Sequence, residues 1–153
     1  MKWTISPDEG VYQDGHHVIK FGMNSLQAER ALCPYESKIE RWSEYFNAYF
    51  PGLETPIFGF KNDSLIDSGF GWRTEAVFVC GMDYFHTLPS FFLEEIGRND
   101  KDLKTDDGYG IFSPKFGIAF DLLDLDESDK TIWAYSREEL ERILVKCKPF
   151  TDF

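Results

Sequence analysis

Apolar residues recur along this chain with two periods, and the switches between them mark out its elements. Trp3 and Ile5 alternate with polar neighbours, so residues 3–5 read as a short strand. Residues 15–21 read as a second strand, with His17, Ile19 and Phe21 on one face. Gly22-Met23-Asn24 stops it, and Asn24 has the right side chain for a helix N-cap, with Gln27 placed as its capping-box partner. A short helix is therefore predicted over 25–32. Pro34 can open the next helix, where its missing N–H is not needed. Over 34–50, Ile39, Trp42, Phe46, Tyr49 and Phe50 recur at helical spacing, while Lys38, Glu40, Arg41, Glu44 and Asn47 fall mainly elsewhere. That pattern predicts an amphipathic helix ended by Pro51-Gly52.

The middle of the chain reads as β. Strands are predicted at 57–60, 70–73 and 75–82, and Ala76-Val77-Phe78-Val79-Cys80 is apolar on both faces, as a strand well inside a sheet would be. Pro89 opens a helix predicted over 88–97, with Gly97 as its stop. A solvated connection follows over 98–107. Strands are then expected at 109–112 and 115–122, with Phe116, Ile118, Phe120 and Leu122 facing one way. A last strand at 131–135 precedes a helix over 137–147, capped by Ser136 with Glu139 and carrying Leu140, Ile143, Leu144 and Cys147 as its buried stripe. These elements predict a single α+β domain spanning residues 1–153, an antiparallel or mixed sheet covered by about four helices.

The 153 residues suit one hydrophobic core, and fifteen phenylalanines, seven tyrosines and four tryptophans supply it without a metal or disulfide. Cys33, Cys80 and Cys147 are odd in number and widely spaced, which predicts small core residues in a reducing compartment. Neither a signal-peptide pattern nor a membrane-length apolar run is seen, so a cytoplasmic location is expected. The net charge of −11 disfavours nucleic acid and anionic membranes as partners and favours a basic protein.

No nucleophile-elbow, phosphate-loop, dinucleotide or zinc pattern occurs, so no cofactor and no catalytic residue is assigned, and a binding protein is expected rather than an enzyme. His16 and His17 are adjacent and would project to opposite faces of a strand, and His86 stands alone. Counted from Asp124 as a calcium loop, position six is Asp129 rather than Gly and position twelve is Tyr135 rather than Glu, so no metal is assigned. Between Asp100 and Asp129 lie nine acids and three lysines, a local balance of −6. Asp100, Asp102, Asp106, Asp107, Asp121, Asp124, Asp126, Glu127 and Asp129, with Tyr109 as an aromatic anchor, are the candidate partner-binding residues. Two other readings stay open. Phe70, Trp72, Tyr84 and Phe85 could line the pocket of a small-molecule or peptide-binding adaptor, and two convergent buried acids would indicate a hydrolase using carboxylate chemistry.

The stretch from Gly10 to Leu32, in which Val18-Ile19-Lys20-Phe21-Gly22-Met23 precedes a capped helix, resembles the opening of small bacterial proteins with an I-x-F-G-M-[ST] signature. Among these are immunity proteins of polymorphic or contact-dependent growth inhibition toxin systems. The segment from Gly108-Tyr109-Gly110 to Phe116-Gly117-Ile118, ahead of an acidic turn and a strand, is similar in arrangement. The resemblance implies a protein that binds a toxin domain encoded beside it, a nuclease being one candidate, and blocks its active site. It transfers no individual binding residue.

Overall fold

The computed structural model describes residues 1–13, 17–32, 38–39, 43–49, 56–106, 110–121 and 130–151. In chain order its elements are β1 (Lys2–Ser6), β2 (Gly10–Gln13), β3 (His17–Lys20), α1 (Ser25–Ala31), β4 (Lys38–Ile39), β5 (Tyr45–Tyr49) and β6 (Ile57–Lys61). There follow β7 (Ser64–Gly71), β8 (Ala76–Val79), β9 (Met82–Asp83), a 3-10 turn at Tyr84–His86, α2 (Pro89–Asn99) and β10 (Lys104–Thr105). The chain closes with β11 (Gly110–Ser113), β12 (Ile118–Asp121), β13 (Thr131–Tyr135), α3 (Arg137–Leu144) and β14 (Lys148–Pro149).

The strands form two sheets. One has five strands in the order β3-β2-β1-β8-β9, and the other has nine in the order β14-β10-β11-β12-β13-β7-β6-β5-β4. Among the described residues all ladders are antiparallel except β1 with β8, which joins the amino terminus to the middle of the chain. Their facing sides share one aromatic core, in which Trp3 meets Phe58 at 6.3 Å and Phe70 at 5.7 Å between ring centroids. Ala28 and Leu32 bring α1 to that core, and Phe92 and Ile96 bring α2, with Phe92 edge to face against Phe120. Leu140 of α3 instead packs with Phe112 and Ala119 in a smaller cluster on the other face of the nine-stranded sheet. No described helix is long and apolar enough to cross a membrane.

This overturns the expected layering. The structure is mostly β, two sheets with three α-helices among the described residues, not a sheet under about four helices. The helix expected over 34–50 is absent where the chain is described: residues 38–39 and 45–49 are strands. Residues 34–37, 40–42 and 50, with Trp42 and Phe50, lie outside the described residues. The ambiguity is physical, because Phe46 and Tyr49 stand three apart, yet within 45–49 exposure alternates with a period of two. Phe46 and Ala48 face the core while Tyr45, Asn47 and Tyr49 face out, and Phe46 stacks on Phe60 at 5.1 Å. Cross-strand pairing with β6 decides the outcome.

Other differences are local. β2 is an additional strand, hidden because only Val11 and Tyr12 separate Gly10 from Gln13. α2 runs past Gly97 to Asn99, and β10 follows in the stretch expected to be a solvated connection. Residues 114–117 turn before β12, with Gly117 at φ 65, so the strand begins at Ile118 rather than at residue 115. Cys80 is an exposed turn residue at φ 51, not a core residue, while Cys147 is half-buried and Cys33 lies outside the described residues. The caps fare better. Asn24 Oδ1 accepts the Gln27 N–H at 2.8 Å and Gln27 Oε1 accepts the Asn24 N–H at 2.9 Å, the full capping box. Ser136 Oγ accepts the Glu139 N–H at 3.3 Å, but the Glu139 carboxylate turns to Arg142 instead of closing the box.

Candidate functional site

Strand alternation gives the nine-stranded sheet an outer face, and cross-strand register arranges its residues in rows. Asn47, Gly59, Asp67 and Tyr135 lie side by side across β5, β6, β7 and β13. Tyr49, Ile57, Gly69 and Trp133 form the next row, continued by Ala119 and Phe112. On the other side Tyr45 pairs with Lys61 and Lys61 with Ser64. Among the described residues the α3 helix packs on this face over Phe112, Ala119, Trp133 and Tyr135 and reaches β7 with Glu139. The half formed by β5, β6 and β7 keeps Tyr45 and Tyr49 exposed, at 46% and 39%.

Two glycines shape the floor. A side chain at Gly59 would sit 2.1 Å from Asp67 Oδ1, and one at Gly69 would sit 2.5 Å from the Trp133 ring. The Asp67 carboxyl therefore lies directly on β6, and the Trp133 indole lies flat on β7. Trp133 stacks with Tyr135 at 6.5 Å and 22°. The result is a trough whose aromatic walls stand on β5 and β13, three strand spacings or roughly 14 Å apart. Gly69→Ala is expected to lift the indole off the sheet and to cost about 1–3 kcal/mol, by the usual penalty for overpacking. Urea denaturation, with near-ultraviolet dichroism reporting Trp133, checks both effects.

Asp67 is the electrostatic centre. Burial pushes its carboxyl up to about 6, the nearby Glu139 carboxylate adds to the shift, and a hydrogen bond from the Gly59 backbone opposes it. Tyr135 is also raised, first by burial and then by Asp67, Glu139 and Asp106. Glu139, buried at the start of α3, is held by both Arg142 Nε and Nη2 in a two-point ion pair, which in turn raises the guanidinium. Lys61 is raised by its hydrogen bond to Tyr45 and lies 5.5 Å from that ring's centroid. The nearby cations thus have partners already, and no Lys or Arg among the described residues forms an ion pair with Asp67.

The surface is concave on both sides of the β6–β7 hairpin. A cleft of about 410 Å³ lies between Lys61, Asn62, Ser64 and Ile66 on one side and Glu138, Glu139 and Arg142 on the other. A smaller one of about 140 Å³ lies over Tyr45, Asn47, Tyr49 and Gly59. The hairpin holds its shape because Asn62 and Asp63 both adopt positive φ, at 50° and 56°. Asp63 Oδ1 accepts the Ser25 N–H, and Asn62 Nδ2 donates to Glu44 Oε1. No group of three or more His, Cys, Asp or Glu able to hold a metal occurs among the described residues.

The acidic stretch chosen from sequence does not form one described surface. Asp100 is buried and bonds within the fold, its carboxylate accepting from Ser113 Oγ at 2.7 Å and from the backbone N–H of Lys115 and Asp102. Asp121 is taken up by the Thr131 N–H and hydroxyl at the opposite end of the β11–β12 pair. Asp102 is exposed. Asp106 is exposed, caps the Gly110 N–H, and its charge acts on a residue of the trough, Tyr135. Asp107, Tyr109, Asp124, Asp126, Glu127 and Asp129 lie outside the described residues.

The four aromatics proposed to line an adaptor pocket are divided by the fold. Phe70 and Tyr84 are buried, Phe70 against Trp3 and Tyr84 against Phe92, while Trp72 is 47% exposed. Sequence reasoning passed over Asp67, though the signal was there: a lone acid in the run Ser64–Gly71 with a glycine two positions on, where a charge in a strand needs a reason. Comparison with protein families, with curated proteins and with solved structures gave no match.

Proposed function

We propose that this chain is a binding protein which neutralises a basic toxin domain by covering it, with the open β5–β6–β7 face as the docking surface. One observation carries the reading: a sheet face that no described helix covers at β5 and that presents exposed tyrosines beside a carboxylate with no cationic partner among the described residues. Exposed aromatics at the centre of a surface are the residue type that anchors interfaces, and tyrosine loses little side-chain entropy on binding. The net charge of −11 supplies long-range attraction for a basic partner, to which exposed Asp102 and Asp106 contribute. That the partner is a toxin rests on the resemblance of the Val18–Met23 opening to immunity proteins.

Co-expression with the toxin domain encoded beside this chain should restore growth and yield a complex on size-exclusion chromatography. The absence of both rescue and complex would dismiss the reading.

A second reading has one observation in its favour, the electrostatic influence of Glu139 on Asp67, which burial first and this acid second push up to about 6. In that case the site would perform carboxylate-based hydrolysis. Its weakness is that Glu139 is tied to Arg142 by two hydrogen bonds, which leaves it poorly placed as a second reacting group. Turnover of any glycoside or ester panel member that is lost in Asp67→Asn would favour hydrolysis over occlusion.

A further inference from the structure

A buried or half-buried carboxylate is normally kept because something pairs with it. At Asp67 the fold has made room for the group rather than for a partner. The carboxyl occupies the place a side chain on Gly59 would take, and the cations nearest the trough are engaged elsewhere, Arg142 by Glu139 and Lys61 by Tyr45. Around it stand Tyr135, whose ring stacks with Trp133, and the exposed Tyr45 and Tyr49 across the floor. Clefts open on both sides of the adjacent hairpin. An acid at the base of a trough with aromatic walls is chemically matched to one kind of group, a flat or compact cation that can pair with the carboxylate while lying against ring faces.

We infer that the trough is a receptor for an arginine side chain of a partner protein, with Asp67 as its counter-ion and the exposed Tyr45 and Tyr49, which line the cleft over Gly59, as its ring surfaces. Guanidinium fits better than ammonium, because it is planar, weakly hydrated and able to hydrogen-bond a carboxylate at two points while stacking on a ring. The site is built for a cation carried by something else, since the chain leaves Asp67 without one among the described residues. Because Asp67 titrates near 6 under the combined influence of burial and Glu139, the pairing also makes affinity depend on pH. The groups facing it are Glu139 and Arg142 from α3, Tyr135 from β13, the Gly59 backbone from β6, and the Lys61–Tyr45 pair from β6 and β5. Asp106 acts on Tyr135 in turn. Occupation by a cation stabilises the ionised carboxylate, so binding strengthens as pH rises through the titration of Asp67 and weakens below it.

This assignment deepens the occlusion reading, and the two fail separately. The probe is N-acetyl-arginine amide, titrated into the intact protein while the Asp67 carboxyl carbon and the Tyr45 and Tyr49 ring signals are followed by NMR from pH 4 to pH 8. The amide should lower the Asp67 titration midpoint and shift both rings. Asp67→Asn should weaken its binding by about tenfold or more, the loss expected when a charge-paired contact is removed. N-acetyl-leucine amide should produce neither effect. Arginine amide that leaves the Asp67 midpoint unmoved, or that binds Asp67→Asn equally well, overturns the receptor. A toxin domain bound tightly by the wild type and equally tightly by Asp67→Asn also overturns it, while leaving occlusion intact. Arginine amide seated at Asp67 with no toxin complex upholds the receptor and removes the toxin.

Discussion

Trp3→Ala is expected to cost about 3–5 kcal/mol, the usual range for removing a large buried aromatic, and to lower the melting temperature by roughly 10 °C. Trp3 is fully buried on β1, the central strand of the five-stranded sheet, and its ring is held between Phe58 and Phe70 of the opposite sheet. It is therefore one of the main side chains joining the two layers. Truncation removes both ring contacts and leaves a cavity that neither sheet can collapse into, because each strand is fixed by its ladder. Trp3→Phe should cost much less. The indole N–H has no hydrogen-bond partner among the described residues, so losing it removes an unsatisfied donor and offsets part of the lost volume. Urea denaturation of both variants measures the difference; equal losses would mean that the N–H is paired after all.

Asp67→Asn is expected to stabilise the fold by about 2 kcal/mol at pH 8, the effect of its raised titration discounted for partial solvation of the group. The sign follows from which form the fold prefers. Asp67 titrates at about 6 in place in the fold, against 3.8 as its ordinary value, so the native state holds the proton more tightly than the unfolded chain. Its neutral form costs nothing extra below about pH 4. As pH rises from 4 through 6 the carboxylate forms beside Glu139, and stability drains away until the full penalty is reached. Asparagine never ionises, so the gain should be absent at pH 4, grow across that window and level off above it. Thermal melts from pH 4 to pH 8 test the shape. A constant difference at every pH would show that the amide acts through hydrogen bonding and not through charge. A residue that costs its own fold stability at neutral pH is more easily understood as serving a partner than as serving the fold.

Much of the chain was legible from local chemistry alone. The Asn24–Gln27 capping box, the Pro89 start of α2, the strand at Thr131–Tyr135 and the Ser136 cap were all set by residues within four positions of one another. What escaped depended on partners distant in sequence. Residues 45–49 satisfy helical and strand spacing at once, and only pairing with β6 selects the strand. The short β2 is stable because it has a ladder on each side, something no four-residue window contains. The trough escaped for the same reason. Asp67, Gly59 and Tyr135 become neighbours through register between β6, β7 and β13, and Glu139 reaches them on a helix that follows β13. The acidic stretch drew notice because its residues are close in sequence, yet Asp100 and Asp121 are used internally at opposite ends of one strand pair.

The most direct test of the open sheet face as the docking surface is isothermal calorimetry of the neighbouring toxin domain against Tyr49→Ala and Glu94→Ala. Both positions are exposed, one on the face and one on α2 away from it. Docking on the face predicts about tenfold or greater weakening for Tyr49→Ala, in line with loss of an interface anchor, and unchanged affinity for Glu94→Ala. Unchanged affinity for Tyr49→Ala, with or without a loss at Glu94, would place the partner elsewhere and contradict it.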